Sequence, residues 1–94
     1  MKLSEAMEKG LAIVGENQCR DCCAMYDGKT AFYVRLSDKP EACCAIGFAC
    51  YGYEISHITN HHATQEVVDY VVRLNDRCKM PIREIIETLR GMGL

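Results

Sequence analysis

Apolar residues recur at Leu3, Met7, Leu11 and Val14, one every three or four positions, which predicts a helix over residues 4–14 with one stripe turned inward. Ser4 stands where a capping hydroxyl belongs, Glu5 and Glu8 suit the positive end of a helix, and Gly15 suits the left-handed residue past the last turn. Gly10 inside this helix costs about 1 kcal/mol relative to alanine. Residues 16–28 break the pattern: they are polar and cysteine-rich and end in the turn pair Asp27-Gly28. Residues 30–36 are β-branched and aromatic enough for a short strand, with a small hairpin as the natural extension. Pro40 can open a second helix, because the N–H that proline lacks would have no partner in the first turn in any case, and residues 40–53 are apolar all round, as in a helix buried at the centre of a small domain. Gly47 within it is placed to admit a close neighbour. After an aperiodic stretch, Thr64 caps the most regular segment of the chain, with Val67, Val71, Leu74 and Cys78 on one stripe and Val68 and Val72 beside it. Pro81 then starts a last helix whose face is Ile82, Ile85, Ile86 and Leu89, and Gly91 stops it.

These elements predict one domain over residues 1–94 and a mainly α fold, with α+β as its near variant: a bundle of about four helices and a short strand or hairpin near residues 30–36. An apolar share of 49% beside a charged share of 26% is that of a globular chain and excludes disorder as the working state. The formal net charge of −2, with acids and bases interspersed, offers no basic footprint to nucleic acid. The last two helices, joined by residues 76–80, do have the outline of a helix-turn-helix, so a DNA-binding regulator stands as a further reading. Against it, Arg83, Glu84, Glu87 and Arg90 on the would-be recognition helix sum to zero, and carboxylates repel phosphates. The longest uncharged stretch, residues 42–53, is too short to span hydrocarbon, and the amino terminus carries acids where a signal peptide has its apolar core. The expected location is the cytoplasm.

Seven cysteines change the chemical picture: Cys19, Cys22 and Cys23, then Cys43 and Cys44, then Cys50 and Cys78. An odd number in a reducing compartment argues against a closed disulfide framework. Cys19-x2-Cys22 is a normal zinc knuckle, but its second half is the adjacent pair Cys43-Cys44 about twenty residues on, so the candidate metal set is Cys19, Cys22, Cys43 and Cys44, with Cys23, Cys50 or a histidine to complete it. The expected cofactor is none, and zinc is the alternative. The plainer reading makes Cys43, Cys44 and Cys50 small buried hydrophobes. His57 and His61 would share a face if their segment were helical, but it reads as a loop. A catalytic thiol at Cys22 or Cys44 with His61 or His62 as base lacks a family signature, and Cys19-x2-Cys22 as a redox pair lacks a βαβ context. No catalytic residue is assigned. Asn75 and Asp76, at the end of the long helix, are expected to bond to backbone at a turn.

Three segments resemble a family of small uncharacterised proteins common in phage and prophage genomes. They are the opening KLSEAMEKG of residues 2–10, the central CAIGFA of residues 44–49, and LND of residues 74–76 followed by REIIETL of residues 83–89. The family patterns they resemble are KLSEAIRKG, CALGAA and LND with a downstream REQIADWV helix. The doubled Cys43-Cys44, the additional Cys19, Cys22 and Cys23, and the absence of tryptophan depart from it. The resemblance implies a helical intracellular domain, sets Cys44 at the family's central cysteine, and implies no reaction. Taken together, the expected function is a noncatalytic protein-protein interaction module, acting as a homodimer or on another protein through the apolar face of the carboxyl-terminal helices or the edge formed by Phe32, Tyr33 and Val34. A zinc-stabilised structural domain is the alternative.

Overall fold

In a computed structural model, which describes all 94 residues, the first stripe folds as expected: α1 spans Leu3–Val14 and buries Leu3, Met7, Leu11 and Val14 together with Ala6 and Gly10. Its cap is Lys2, two residues earlier than the expected Ser4. Lys2 is extended and its N–H donates to the Glu5 carboxylate at 2.8 Å, while Ser4 is buried in the first turn and its N–H donates to the Leu94 carbonyl at 3.2 Å. A partner at the far end of the chain therefore replaces the local hydroxyl. Gly15 takes a φ of 95° and its N–H closes the helix on the Leu11 carbonyl at 2.8 Å.

The hairpin sits further upstream than the aromatic run suggested. β1 (Ala24–Tyr26) and β2 (Lys29–Ala31) pair antiparallel with Met25 opposite Thr30, joined by Asp27 and Gly28, which both hold positive φ (51° and 76°). Two such residues are what a tight hairpin turn with the right twist requires. The strand ends at Ala31, so Phe32 and Tyr33 stand in solvent (81% and 55% exposed) and Val34 turns inward at 2%. The cause is a pair of tyrosines. The Tyr26 and Tyr51 hydroxyls lie 2.5 Å apart, Tyr26 accepts the Arg35 N–H at 2.7 Å, and Tyr51 bonds the carbonyls of Arg35 and Asp38, each at 2.9 Å. The chain after Ala31 is thereby drawn off the sheet.

Pro40 opens no helix. β3 (Ala42–Cys43) adds to β1 and gives a three-stranded sheet in the order β2-β1-β3. The backbone there is already committed: the N–H groups of Glu41, Cys43 and Cys44 donate to the carbonyls of Met25, Asn17 and Cys23. α2 (Ala45–Tyr53) can start only after these bonds end, with the Cys44 sulfur accepting the Gly47 N–H at 3.4 Å. Residues 45–52 are buried, and α1 crosses α2 at very short range. A Cβ on Gly10 would lie 1.8 Å from the Phe48 carbonyl oxygen, and one on Gly52 would lie 1.8 Å from that of Ala6. Gly47 plays the expected role, since its Cβ would fall 2.3 Å from the Cys23 carbonyl oxygen. α3 (Gln65–Asp76), capped by Thr64 at the Val67 N–H, and α4 (Ile82–Gly91), which buries Ile82, Ile85, Ile86 and Leu89, close the other side. The result is a mainly α, small α+β domain with one continuous core of 24 buried apolar residues. No helix is long and apolar enough to cross a membrane.

Candidate functional site

The loop between α1 and β1 carries three of the seven cysteines, and a buried polar clamp on α3 holds it. Asn75, 1% exposed, uses its whole amide. Its Oδ1 accepts the Ala45 N–H (3.0 Å) and Gln18 Nε2 (2.7 Å), and its Nδ2 donates to the Cys19 carbonyl (2.9 Å) and to Asp76 Oδ1 (2.7 Å). Asp76 Oδ1 also accepts the Asp21 N–H at 3.0 Å. Gln18 extends the clamp, donating to the Met80 carbonyl and accepting the Ile82 N–H that begins α4. Asn75 and Asp76 do bond to backbone, as their residue types implied, but to a loop more than fifty residues away rather than to their own turn. On the opposite side the Cys19 N–H donates to the Cys43 carbonyl and the Cys23 N–H to the Ala31 carbonyl. Asp21 takes a left-handed φ of 62°, which folds the loop back so that Cys19 and Cys22 face each other.

The candidate metal residues occupy distinct positions around this loop. Cys19 and Cys22 are buried with their sulfurs 3.2 Å apart, and the Cys19 thiol also reaches the Cys22 carbonyl at 3.8 Å. Cys44 neighbours Cys23, its N–H donating to the Cys23 carbonyl at 3.0 Å, while Cys43, on β3, lies fully buried. No group of three or more His, Cys, Asp or Glu side chains converges to hold an ion. Cys50 is buried on α2 and Cys78 is exposed. Burial first, then the neighbouring Cys22 thiol, pushes the Cys19 thiol well up; the hydrogen bond from the Cys44 thiol holds the Cys23 thiol below its ordinary value and pushes Cys44 up in return, reinforced by burial.

Cys43 and Cys50 are pushed up to about 12 from 9.0 by burial, and this has a pH consequence. Their folded values lie above their unfolded ones, so the associated stability is complete below pH 9 and is lost as pH rises toward 12. Urea unfolding under reducing conditions is expected to show about 1.5 kcal/mol less stability at pH 9.5 than at pH 8 from these two thiols. An equal stability at the two values would show that the thiols are not sealed.

Beside the loop opens a groove of about 420 Å3. Its lining is Cys22, Cys23, Cys44, Ile46, Val68 and Val72, with Phe32 on one rim and Asp21, Asn75 and Asp76 at the end. Asp69, Arg73 and Arg77 continue that end outward, and on the hairpin side Lys29 and Arg35 flank Phe32, Arg35 resting 4.1 Å from the centre of the Tyr26 ring. No histidine lines the groove: His57 meets Tyr33 edge-on, and His62 packs on Tyr53 and bonds Thr59, in a segment that is not helical. The arginines of α4 are paired with carboxylates, Arg83 with Glu16 and Arg90 with Glu8 and Glu87. Gln18 was unreadable as a site residue, since nothing around it in the chain marks a glutamine that will bridge two helices.

The fold and site therefore define a small α+β domain with a cysteine-lined groove beside a loop that a buried asparagine anchors. Comparison of the chain with protein-family models, with curated proteins and with solved structures finds no match.

Proposed function

We propose that this chain is a noncatalytic protein-contact module of the cytoplasm, of phage or prophage type, and that the partner its groove fits first is a second copy of itself. The three motif segments of residues 2–10, 44–49 and 74–89 support the affiliation. The observation that supports the activity is the Phe32 ring, largely in water on the rim of a groove floored by Ile46, Val68, Val72 and three thiols. Held apart, each copy leaves an aromatic ring and an apolar groove hydrated. Two copies about a two-fold axis bury both rings, each in the other's groove, and such an isologous exchange needs only the one patch. Charge adds only weakly to the pairing, because Lys29 and Arg35 beside Phe32 are accompanied by Asp27, and Asp21, Asp69 and Asp76 at the groove end by Arg73 and Arg77.

Truncating a buried aromatic anchor costs about 2 kcal/mol, or roughly thirtyfold in Kd. Light scattering on untagged protein at tens of micromolar is expected to return the dimer mass, and Phe32→Ala, which removes both rings, to weaken the dimer by about 4 kcal/mol, close to a thousandfold in Kd, without lowering the stability of the monomer. A wild-type chain that stays monomeric at that concentration removes this reading.

A further inference from the structure

We propose that Cys19 and Cys22 form a thiol–disulfide exchange site, a dithiol that a small disulfide of the glutathione class oxidises and the corresponding thiol reduces. Cys22 is reached through the groove, so the exchange belongs to the single copy, before a second one fills that groove. Its sulfurs already stand 3.2 Å apart, and a bonded pair needs about 2.05 Å, so side-chain movement of about 1 Å closes it with the backbone in place. That backbone is held on both sides of Cys22: Cys19 by Asn75 and Cys43, Asp21 by Asp76, Cys23 by Ala31. A turn with a left-handed residue, pinned by a fully satisfied buried amide, presents two thiols to each other rather than merely packing them.

Both thiols are nearly buried, at 7% for Cys19 and 9% for Cys22, and they differ in which of them faces the groove. Cys22 lines the open groove and Cys19 does not, which makes Cys22 the attacking thiol and Cys19 the resolving one within reach behind it. The other thiols fit the role less well, since Cys43 and Cys50 are sealed in the core and Cys78 stands alone on the surface. Cys23 and Cys44 are the internal competitor. In the reaction, the Cys22 thiolate attacks one sulfur of the disulfide RSSR, forming Cys22 Sγ–SR and releasing RS−, which takes up the proton Cys22 lost. Cys19 then attacks Cys22 Sγ, the bond to SR breaks, and the second RS− leaves with the proton of Cys19. The protein loses two electrons and two protons, and RSSR becomes two RSH.

The test uses the full untagged chain carrying Cys78→Ser, equilibrated in mixtures of reduced and oxidised glutathione, quenched in acid, alkylated and mapped by peptide mass. The Cys19–Cys22 disulfide is expected as the first and dominant oxidised species, with Cys22 losing its thiol at least about tenfold faster than Cys43 or Cys50. Cys19→Ser is expected to trap glutathione on Cys22, and Cys22→Ser to leave Cys19 unmodified. The map of the chain with both cysteines present needs neither variant, so a substitution that fails to fold does not remove the test. Three results would overturn the proposal: a Cys23–Cys44 disulfide appearing first, slow uniform oxidation of all thiols, or protein that purifies with one equivalent of zinc and resists oxidation at Cys19 and Cys22 until chelated.

Discussion

Gly52→Ala is expected to lower the unfolding free energy by about 3 kcal/mol and the Tm by about 12–24 °C, a large share of the stability of a chain this size. The added Cβ would stand 1.8 Å from the Ala6 carbonyl oxygen, 2.5 Å from its carbon and 2.8 Å from its Cα, all backbone atoms of α1. No side chain can swing aside, so the helices must separate along their whole crossing. Alanine's better helix propensity, about 1 kcal/mol, offsets only part of this. Gly91→Ala is the matched control: a Cβ there meets nothing within 4 Å, and the same propensity term acts alone, so that variant is expected to be slightly more stable than the parent. Thermal unfolding of both variants under reducing conditions decides the matter. A Gly52→Ala protein within about 1 kcal/mol of the parent would mean that the crossing is looser than described.

Asn75→Ala is expected to cost about 3–5 kcal/mol, measured by urea unfolding, because one truncation orphans several buried groups. The Ala45 N–H, the Cys19 carbonyl and the Gln18 amide all lose a partner, and three elements lose their common tie. Gln18→Ala in the same background should cost much less than it does alone, since the two side chains belong to one network and their effects are not additive. Asn75→Asp separates hydrogen bonding from volume. Its carboxylate would face the Cys19 carbonyl and the Asp76 carboxylate, so its folded-state pKa lies above the unfolded value. The variant is therefore expected to be least stable at neutral pH and above, and to recover as pH falls and the acid proton restores a donor. Additive costs in the double variant would show that Asn75 and Gln18 act separately.

The helices were legible because each reports itself locally. Leu3, Met7, Leu11 and Val14 lie on one stripe of α1, Thr64 caps α3 at the Val67 N–H, and Pro81 precedes α4, all as their spacing and types imply. The turn at Asp27 and Gly28 was legible for the same reason, since only a few residue types tolerate its backbone. The strand was misplaced because Phe32, Tyr33 and Val34 have high strand propensity, whereas two tyrosine hydroxyls, one of them on α2, draw the following chain away from the sheet. Pro40 misled in the same way: its neighbours' N–H groups are taken by residues earlier in the chain, a fact with no local signal.

At the site, the cysteine spacing pointed to the loop that lies beside the groove, and the hydrogen-bonding habit of Asn75 and Asp76 was legible without their targets. The amino-acid order by itself determined the helices, the turn and which faces are apolar, because a period of three to four residues or a positive φ is a property of neighbours along the chain. Tertiary structure alone decided that Gly10 and Gly52 are contact points rather than weak places in their helices, that Asn75 reaches back to Cys19, and that Cys19 meets Cys22 rather than Cys43. Each of these depends on atoms brought together from separate elements or on a loop bent by its surroundings, and a close approach between distant segments leaves no trace in the spacing of either one.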